Sequence, residues 1–193
     1  MSQPKILAFA GSTRSASYNK QLVRAAAESG RTAGAEVTLI DLRDFPLPLF
    51  DEDLEKESGL PEEARKLKAL FRDHDGLLIA SPEYNSSITG VLKNALDWIS
   101  RTESDDEPSL AAFVGKTAAL MSASPGGLGG IRGLVHLRSI LGNIGVIVLP
   151  DQVTISAAYE AFDEDGGLKD AGKAAQVTKL AKALVEATGK LKG

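Results

Sequence analysis

The stretch from Lys5 to Asn19, KILAFAGSTRSASYN, decides how this chain folds. The apolar run Ile6–Ala10 leads at once into a turn rich in Gly, Ser and Thr, and a helix-like pattern follows the turn. A buried strand that passes through such a turn into a helix leaves backbone N–H groups free at the helix N-terminus, where the helix dipole favours negative charge. The stretch therefore predicts a strand–turn–helix unit with an anion site at its turn.

Apolar runs and helix-like patterns alternate along the rest of the chain. The apolar runs predict strands at Lys5–Ala10, Glu36–Asp41, Gly76–Ala80, Thr117–Ser122 and Val146–Leu149. The amphipathic stretches predict helices at Asn19–Ala33, Pro61–His74, Val91–Arg101, Gly130–Leu141 and Ala171–Thr188. This alternation is typical of a doubly wound α/β fold, here with five parallel strands in the order 2-1-3-4-5 and helices on both faces. We expect a single domain that spans residues 1–193.

Two segments interrupt the alternation, and both are rich in acidic residues. Leu42–Leu60 and Thr102–Phe113 are expected to be solvated loops because of their charge, although long loops in compact domains are often functional. A short apolar run at Val153–Ser156 allows one further strand, and Lys190–Gly193 is expected to be frayed.

The composition excludes several classes of function. The net charge of the 193 residues is −4, so we expect no nucleic-acid partner. The chain has no cysteine, which excludes disulfides, thiolate catalysis and cysteine-ligated metals and fits a cytoplasmic protein. No apolar run approaches the roughly 20 residues that span a bilayer, so we expect no membrane insertion.

Three polar loops follow strands one, three and four of the predicted sheet. They are Gly11–Asn19, Ser81–Ser87 and Ser122–Gly130. In the order 2-1-3-4-5 these strands are neighbours, and doubly wound folds bind ligands at the carboxyl ends of strands where the strand order reverses. We therefore expect the three loops to share one pocket.

The first loop has the chemistry of a phosphate site. Its hydroxyl side chains are Ser12, Thr13, Ser15 and Ser17, and its cation is Arg14. This set, beside a helix N-terminus, suits a terminal phosphate. A helix start that is merely capped, with Asn19 or Ser17 as the N-cap, is the alternative.

The second loop suits a flat ring. Pro82 stiffens it, Tyr84 offers an aromatic edge and Asn85 offers an amide, which together match a heteroaromatic ring with carbonyl and N–H groups on its rim. Glu83 is expected either to cap the following helix or to contact the ring. A turn that packs on its own tyrosine is the alternative.

Common nucleotide and catalytic motifs do not occur. The first loop lacks the Gly-Lys-Ser/Thr of a P-loop, and the third has Arg132 where a dinucleotide fingerprint would have its last glycine. His74 ends a predicted helix, and His136 lies inside one, where we expect a core or interface position. A pocket with phosphate and ring sites but no evident acid, base or nucleophile indicates that a cofactor carries the chemistry.

The loops resemble those of the NAD(P)H-dependent FMN reductase family, which has a flavodoxin-like fold and includes bacterial quinone and chromate reductases. The pattern that begins with GSTR at residues 11–14 and continues to Ser17 and Asn19 resembles the phosphate loop of that family. Ser81–Asn85, together with Leu92–Trp98, resembles its second signature. The resemblance covers roughly residues 5 to 155.

The resemblance implies that the chain binds FMN without a covalent bond. It places the phosphate in the loop of Gly11 and Thr13, on Ser12, Arg14, Ser17 and Asn19, and the flavin ring beside Pro82, Glu83, Tyr84 and Asn85. Around Ser122, Ser124, Gly126 and Gly127 it places the pyrimidine side of the ring.

The resemblance also implies NADPH or NADH as electron donor and small electron acceptors, among them quinones, flavins, azo compounds and chromate. It further implies a homodimer or homotetramer. The helix Gly130–Leu141 combines apolar and Arg side chains, as protein interfaces do, and is the predicted contact.

Two other functions stay open at this point. The chain could be an electron carrier of the same fold, since such proteins use acidic charge to steer docking, or a binding module for another phosphorylated ligand. A preference for NADPH would need a cation for the 2′-phosphate, for which Arg43, Arg101 and Arg132 are the candidates.

Overall fold

The computed structural model describes residues 3–192. Its strands are β1 (Lys5–Ala10), β2 (Glu36–Asp41), β3 (Gly76–Ala80), β4 (Thr117–Ala123) and β5 (Ile147–Ile155). Its helices are α1 (Tyr18–Thr32), α2 (Glu52–Ser58), α3 (Glu62–Asp73), α4 (Gly90–Ile99), α5 (Ile131–Asn143) and α6 (Ala171–Lys192). The predicted bounds of β1, β2 and β3 are confirmed.

The five strands form one parallel sheet in the order β2-β1-β3-β4-β5, as predicted. On one face, α1 and α6 pack with side chains such as Leu22 and Leu184. On the other face, α3, α4 and α5 pack with side chains such as Phe71, Leu92 and Leu137. Because both faces are covered, β3 and β4 are buried along their whole length, which explains the apolar runs Leu77–Ala80 and Ala118–Met121 at their centres.

The last strand is longer than predicted. The predicted strand Val146–Leu149 and the short run Val153–Ser156 belong to one continuous strand, β5. The register against β4 shifts between Ala118 and Leu120, where β5 carries extra residues around Pro150. A bulge with proline suits an edge strand, since it removes donors that could pair with another chain.

The segment Leu42–Leu60 is solvated as expected, since most of its residues are exposed, but it is not a loop throughout. It begins with a 3₁₀ turn at Leu42–Asp44 and contains α2, which the Asp51 carboxylate caps by accepting a hydrogen bond from the Asp53 N–H at 2.8 Å. The carbonyl of Pro48 accepts hydrogen bonds of 2.8 Å from both Asn94 Nδ2 and Trp98 Nε1. These bonds fix the segment on α4.

The acidic segment Thr102–Phe113 is also partly buried, which corrects the second loop expectation. Glu107 Oε2 lies 2.6 Å from Lys68 Nζ, and Lys68 Nζ also donates to the carbonyl of Arg101 at 2.7 Å. The Lys68 and Glu107 side chains are only 2% and 7% exposed. This segment therefore closes the outer side of α3 through a buried ion pair.

We expected Lys190–Gly193 to be frayed, which is wrong for Lys190–Lys192 because these residues are helical. Helix α6 continues to Lys192, whose Nζ lies 2.8 Å from Asp75 Oδ2, and Gly193 lies outside the described residues. Between residues 3 and 192, no helix combines the length and the apolar character that crossing a membrane requires.

Candidate functional site

The three polar loops meet at the carboxyl edge of β1, β3 and β4. They enclose a cavity of about 390 Å³, which we call the three-loop cavity. Its walls are Ser12, Arg14, Ser17, Tyr18, Asn19, Pro82, Glu83, Tyr84, Ala123, Ser124 and Pro125. The predicted shared pocket is therefore present. Tyr18, Ala123 and Pro125 were not among the predicted site residues.

The first loop provides hydroxyl groups and a cation to this cavity. Ser17 occupies the N-cap position of α1, but its side chain makes no capping hydrogen bond, so its hydroxyl is available to a ligand. Ser12 is buried and accepts a hydrogen bond from the Arg14 N–H at 3.2 Å. The Arg14 guanidinium lies over the Tyr18 ring, 5.2 Å from its centroid. Ser17 is therefore the N-cap residue that the alternative expects, but among residues 3–192 its hydroxyl does not do the capping.

Asn19 acts on the site differently from the role that the resemblance implies. Its Nδ2 donates to the carbonyl of Ala123 at 2.8 Å, and its Oδ1 accepts from the Ala123 N–H at 2.9 Å. Because both polar ends of the amide are used, the side chain joins the start of α1 to the end of β4. A signal for this contact is absent from the local sequence, since the two residues are 104 positions apart.

The second loop contains a two-residue turn. Tyr84 and Ser87 exchange backbone hydrogen bonds of 2.9 and 3.0 Å, and the residues between them, Asn85 and Ser86, have φ of 50° and 66°. Positive φ at both central positions is typical of a tight hairpin turn and accounts for Asn at the first of them. The Tyr84 side chain is 58% exposed and lines both the three-loop cavity and a neighbouring one, so it is open to a ligand.

Glu83 caps a helix, but not the one that we expected. Its Oε2 accepts hydrogen bonds from the N–H groups of Arg132 at 3.0 Å and Gly133 at 3.2 Å, at the start of α5. Its Oε1 accepts from Arg132 Nε at 2.7 Å. Burial alone would raise the pKa of Glu83, but the bonds from Arg132 and Gly133 outweigh it and hold the pKa below its ordinary value. The carboxylate beside the cavity is therefore ionised and paired.

Helix α4, which follows the second loop, is capped by Thr89, a residue that sequence reasoning missed. The Thr89 hydroxyl accepts from the Leu92 N–H at 3.2 Å and donates to the carbonyl of Gly11 at 2.6 Å. This buried side chain thereby ties the first loop to the second. A Thr two residues before a predicted helix is a usable N-cap signal.

The third loop contributes less of the cavity wall than expected. Ser124 lines it, with its hydroxyl accepting from the Gly126 N–H at 3.2 Å. Gly126 and Gly127 are exposed beyond the wall, and the fully buried hydroxyl of Ser122 lies behind the loop against Gly130. That hydroxyl has no hydrogen-bond partner among the described residues.

Gly11 and Thr13 face a neighbouring cavity of about 300 Å³, which we call the linking cavity. It shares Ser12, Arg14 and Tyr84 with the three-loop cavity. Asn85 lines neither of the two. The structure therefore brings together most, but not all, of the predicted site residues.

Neither histidine lines the three-loop cavity. His74 is buried at the end of α3, with Nδ1 2.6 Å from the carbonyl of Leu70 and Nε2 2.8 Å from the Thr38 hydroxyl. His136 is exposed on α5, with Nδ1 2.9 Å from the Ser87 hydroxyl. Of the two expected positions, core or interface, the core position is therefore wrong and the interface position stays a prediction. Within residues 3–192, no group of three or more acidic or histidine side chains is placed to bind a metal ion.

The chain was compared with known proteins. Residues 4–160 match the family described as NADPH-dependent FMN reductase. The chain is 40% identical to an NAD(P)H-dependent FMN reductase of Pseudomonas aeruginosa over 167 residues, which cover 86% of this chain and 85% of that protein. It is 35% identical to an NAD(P)H:quinone oxidoreductase of Solanum tuberosum over 194 residues, with 98% and 95% covered.

A solved structure of similar fold is the flavoenzyme FerB, an NAD(P)H:(acceptor) oxidoreductase from Paracoccus denitrificans. It superposes with a TM-score of 0.79 at 26% identity, covering 97% of this chain and 98% of FerB. The strand order, the cavity at the switch in that order and the match over residues 4–160 agree with one another. This chain belongs to the NADPH-dependent FMN reductase family.

Proposed function

We propose that the protein is an FMN-dependent oxidoreductase that takes electrons from NAD(P)H and passes them to small acceptors, of which quinones are the first class. The observation that carries the proposal is the three-loop cavity, which brings the hydroxyl groups of Ser12 and Ser17 and the Arg14 guanidinium together with an exposed tyrosine, Tyr84. The relatives of this chain that are named FMN reductase and quinone oxidoreductase support the same activity.

The residues at the cavity fit FMN. The buried hydroxyls of Ser12 and Ser17 and the guanidinium of Arg14 are a donor set for a dianionic phosphate at the N-terminus of α1. Glu83, the carboxylate on the wall, is paired with Arg132 and so does not repel the phosphate. Pro82 and Tyr84, which line the same cavity, would hold the flavin ring.

When bound, FMN supplies a ring that accepts a hydride and later gives up two electrons. The protein binds and orients the ring, and backbone N–H groups of the loops Pro82–Asn85 and Ser122–Gly127 are the proposed donors to its polar edge. Donor and acceptor use the same exposed side of the cavity in turn. Azo compounds, free flavins and chromate are further proposed acceptors, and the cytoplasm is the proposed location.

The experiment compares FMN-loaded protein with protein stripped of flavin. Loaded protein should consume NADPH or NADH steadily when benzoquinone is supplied, and stripped protein should not. If loaded protein binds FMN but consumes neither donor, the chain is an electron carrier and the proposal fails. If the protein does not bind FMN at all, the three-loop cavity is instead a site for another phosphorylated ligand, and the proposal also fails.

Arg14→Ala is expected to weaken FMN binding by about ten- to a hundredfold, because a hydrogen bond to a charged group contributes about 1.5–3 kcal/mol. Riboflavin lacks the phosphate, so its dissociation constant should hardly change. Fluorescence titration of both flavins measures the two constants. An FMN dissociation constant equal to that of the wild type would place Arg14 outside the site.

His136→Gln is expected to leave the rate of NADPH oxidation within a few-fold of the wild type. The ring of His136 bonds to Ser87 on the surface and not into the cavity, whereas loss of a general acid or base costs about 10²–10⁴ in rate.

Initial rates of the wild type at varied NADPH and quinone should give parallel double-reciprocal lines, since donor and acceptor alternate. Intersecting lines, or a thousandfold loss in the folded variant, would refute this part of the mechanism.

We also propose that a second copy of the chain covers α5. Tyr84, Leu128, Ile131 and Val135 form an apolar patch there, with exposed fractions of 58%, 57%, 40% and 60%. Such side chains, flanked by Arg132, are typical of protein interfaces. The Tyr84 turn belongs to both this patch and the cavity wall, so the second copy would border the flavin site.

Val135→Glu is expected to shift the protein towards monomer, because it puts a charge in the middle of the patch. Sedimentation velocity at micromolar concentration measures the shift. Val114→Glu is the matched control, since Val114 is 59% exposed at the opposite edge of the sheet. A wild type that sediments as a monomer would overturn the assignment of this surface.

A further inference from the structure

A third cavity, of about 490 Å³, lies between the segment after β2 and helix α4. We call it the Arg43 cavity. Its apolar wall is formed by Phe45, Pro46, Leu47, Pro48, Val91 and Ala95. Arg43, Thr13 and Val91 line both this cavity and the linking cavity, which in turn borders the three-loop cavity. A continuous path of concave surface therefore leads from the flavin site to the Arg43 cavity.

The wall of the Arg43 cavity is held in place before any ligand binds. The Pro48 carbonyl accepts hydrogen bonds from Asn94 and Trp98, and the Phe50 N–H donates to Asn94 Oδ1 at 2.8 Å. Both ends of the Asn94 amide therefore help to hold the wall, and Arg43 is the charged residue among those that line this cavity. Its volume lies within the range of small-molecule sites, about 300–1,000 Å³.

Three arginines are candidates for binding the 2′-phosphate of NADPH. Among residues 3–192, Arg43 is the one of them that forms no ion pair. Arg101 pairs with Glu55, and Arg132 pairs with Glu83. The Arg43 guanidinium instead donates to a carbonyl, that of Thr13, with Nε at 2.8 Å and also through Nη2. Its Nη1 group makes no hydrogen bond within these residues and can serve an anion.

The acidic groups beside Arg43 do not cancel its charge. Asp41 accepts from the backbone N–H of Arg43 at 3.0 Å, and its other oxygen lies 2.5 Å from Lys20 Nζ, so this carboxylate is already paired. Asp44 lines a different cavity, on the other side of the turn. An exposed guanidinium over an apolar wall suits a ligand that combines a flat ring with an anionic group.

We propose that the Arg43 cavity takes the adenosine end of NADPH, with the Arg43 guanidinium on the 2′-phosphate, so that the enzyme prefers NADPH to NADH. This rests on the proposed NAD(P)H-dependent function. Adenine is flat and suits the Phe45–Pro48 wall, and the 2′-phosphate is the group that separates the two donors. The quinone acceptors are uncharged and need no cation in their site.

The binding test uses adenosine 2′,5′-bisphosphate and 5′-AMP, which differ by the 2′-phosphate alone. Calorimetry with FMN-loaded protein should find the bisphosphate bound about ten- to a hundredfold more tightly, the range for a charged hydrogen bond. Arg43→Leu should abolish that difference and leave 5′-AMP binding nearly unchanged. Arg43→Lys keeps the positive charge but loses the paired N–H donors of the guanidinium. It should therefore retain part of the difference in affinity between the two nucleotides.

Arg65→Ala is the matched control, because Arg65 is an exposed residue of α3 and its removal changes the net charge equally. Its kcat/KM for NADPH and for NADH should both match the wild type, whereas Arg43→Leu should lose about ten- to a hundredfold with NADPH alone. Because Arg43 also holds the Thr13 carbonyl, the FMN dissociation constant is measured for every variant and rates are taken at saturating FMN.

Equal binding of the two nucleotides by the wild type would overturn the proposal, as would an equal loss with NADPH and NADH in Arg43→Leu. A wild-type protein that oxidises neither donor would refute the proposed function instead, and calorimetry would still decide whether the cavity recognises a 2′-phosphate.

Discussion

Gly130→Ala is expected to destabilise the protein by roughly 2–6 kcal/mol, from positive-φ strain and from overpacking together. Gly130 precedes α5 with φ of 89°, where an L side chain is strained. An added Cβ would lie 2.0 Å from Ser122 Oγ and 2.9 Å from Ser122 Cβ. Ser122 cannot move aside easily, because it is fully buried in β4.

The effect should extend to FMN binding, since the same turn presents the N–H groups of α5 to Glu83 on the cavity wall. Urea unfolding and FMN titration measure the two effects. Gly127→Ala is the matched control in the same loop, because no atom lies within 4 Å of its added Cβ. A Gly130→Ala protein as stable as the Gly127→Ala protein would contradict the described geometry of this loop.

Lys68→Met is expected to lower the free energy of unfolding by about 3 kcal/mol, at the lower end of the range for breaking a buried ion pair. The substitution keeps most of the side-chain volume but leaves the Glu107 carboxylate buried without its main partner. The loss stays at the lower end because Arg72 Nη1, at 3.4 Å, and the Glu103 N–H, at 2.7 Å, still face that carboxylate.

The loss in Lys68→Met should depend on pH. Burial raises the pKa of Glu107, but the Lys68 hydrogen bond and the other partners outweigh it and bring the pKa below its ordinary value. The ionised pair therefore stabilises the fold above the pKa of the unfolded chain, and this contribution disappears as the pH falls through the folded pKa. The difference between wild type and variant should shrink over the same interval.

Urea unfolding at a series of pH values measures this difference. Lys66→Met is the control on the same helix, because within the described part of the chain Lys66 pairs only with Glu62 and Glu63, at the surface. It should change stability little. If Lys66→Met and Lys68→Met destabilise equally, the ion pair of Lys68 is not the cause.

The sequence predicts the sheet well because its signals are local. The apolar runs of β1 and β3 are short, uninterrupted and bounded by polar turns, so their ends coincide with the predicted ends. Helix α2 was missed because it has only seven residues and no buried side chain, although Asp51 and Gly59 mark its two ends. The bulge at Pro150 split β5 into two runs that the pattern alone could not join.

The site was predicted less completely because several of its residues act over long distances in sequence. The three loops could be placed together from strand order alone, and they do form one cavity. The contacts of Asn19 with Ala123 and of Glu83 with Arg132 depend on how strands and helices pack, which no local pattern records. These contacts hold together the loops that form the cavity wall.

A crystal structure of the protein with FMN would show directly where the flavin binds. We expect the phosphate on the hydroxyls of Ser12 and Ser17 and the Arg14 guanidinium, with the ring beside Pro82 and Tyr84 and with Glu83 still paired to Arg132. FMN bound in a different cavity, or steady NAD(P)H:quinone activity from crystals whose three-loop cavity holds no flavin, would contradict it.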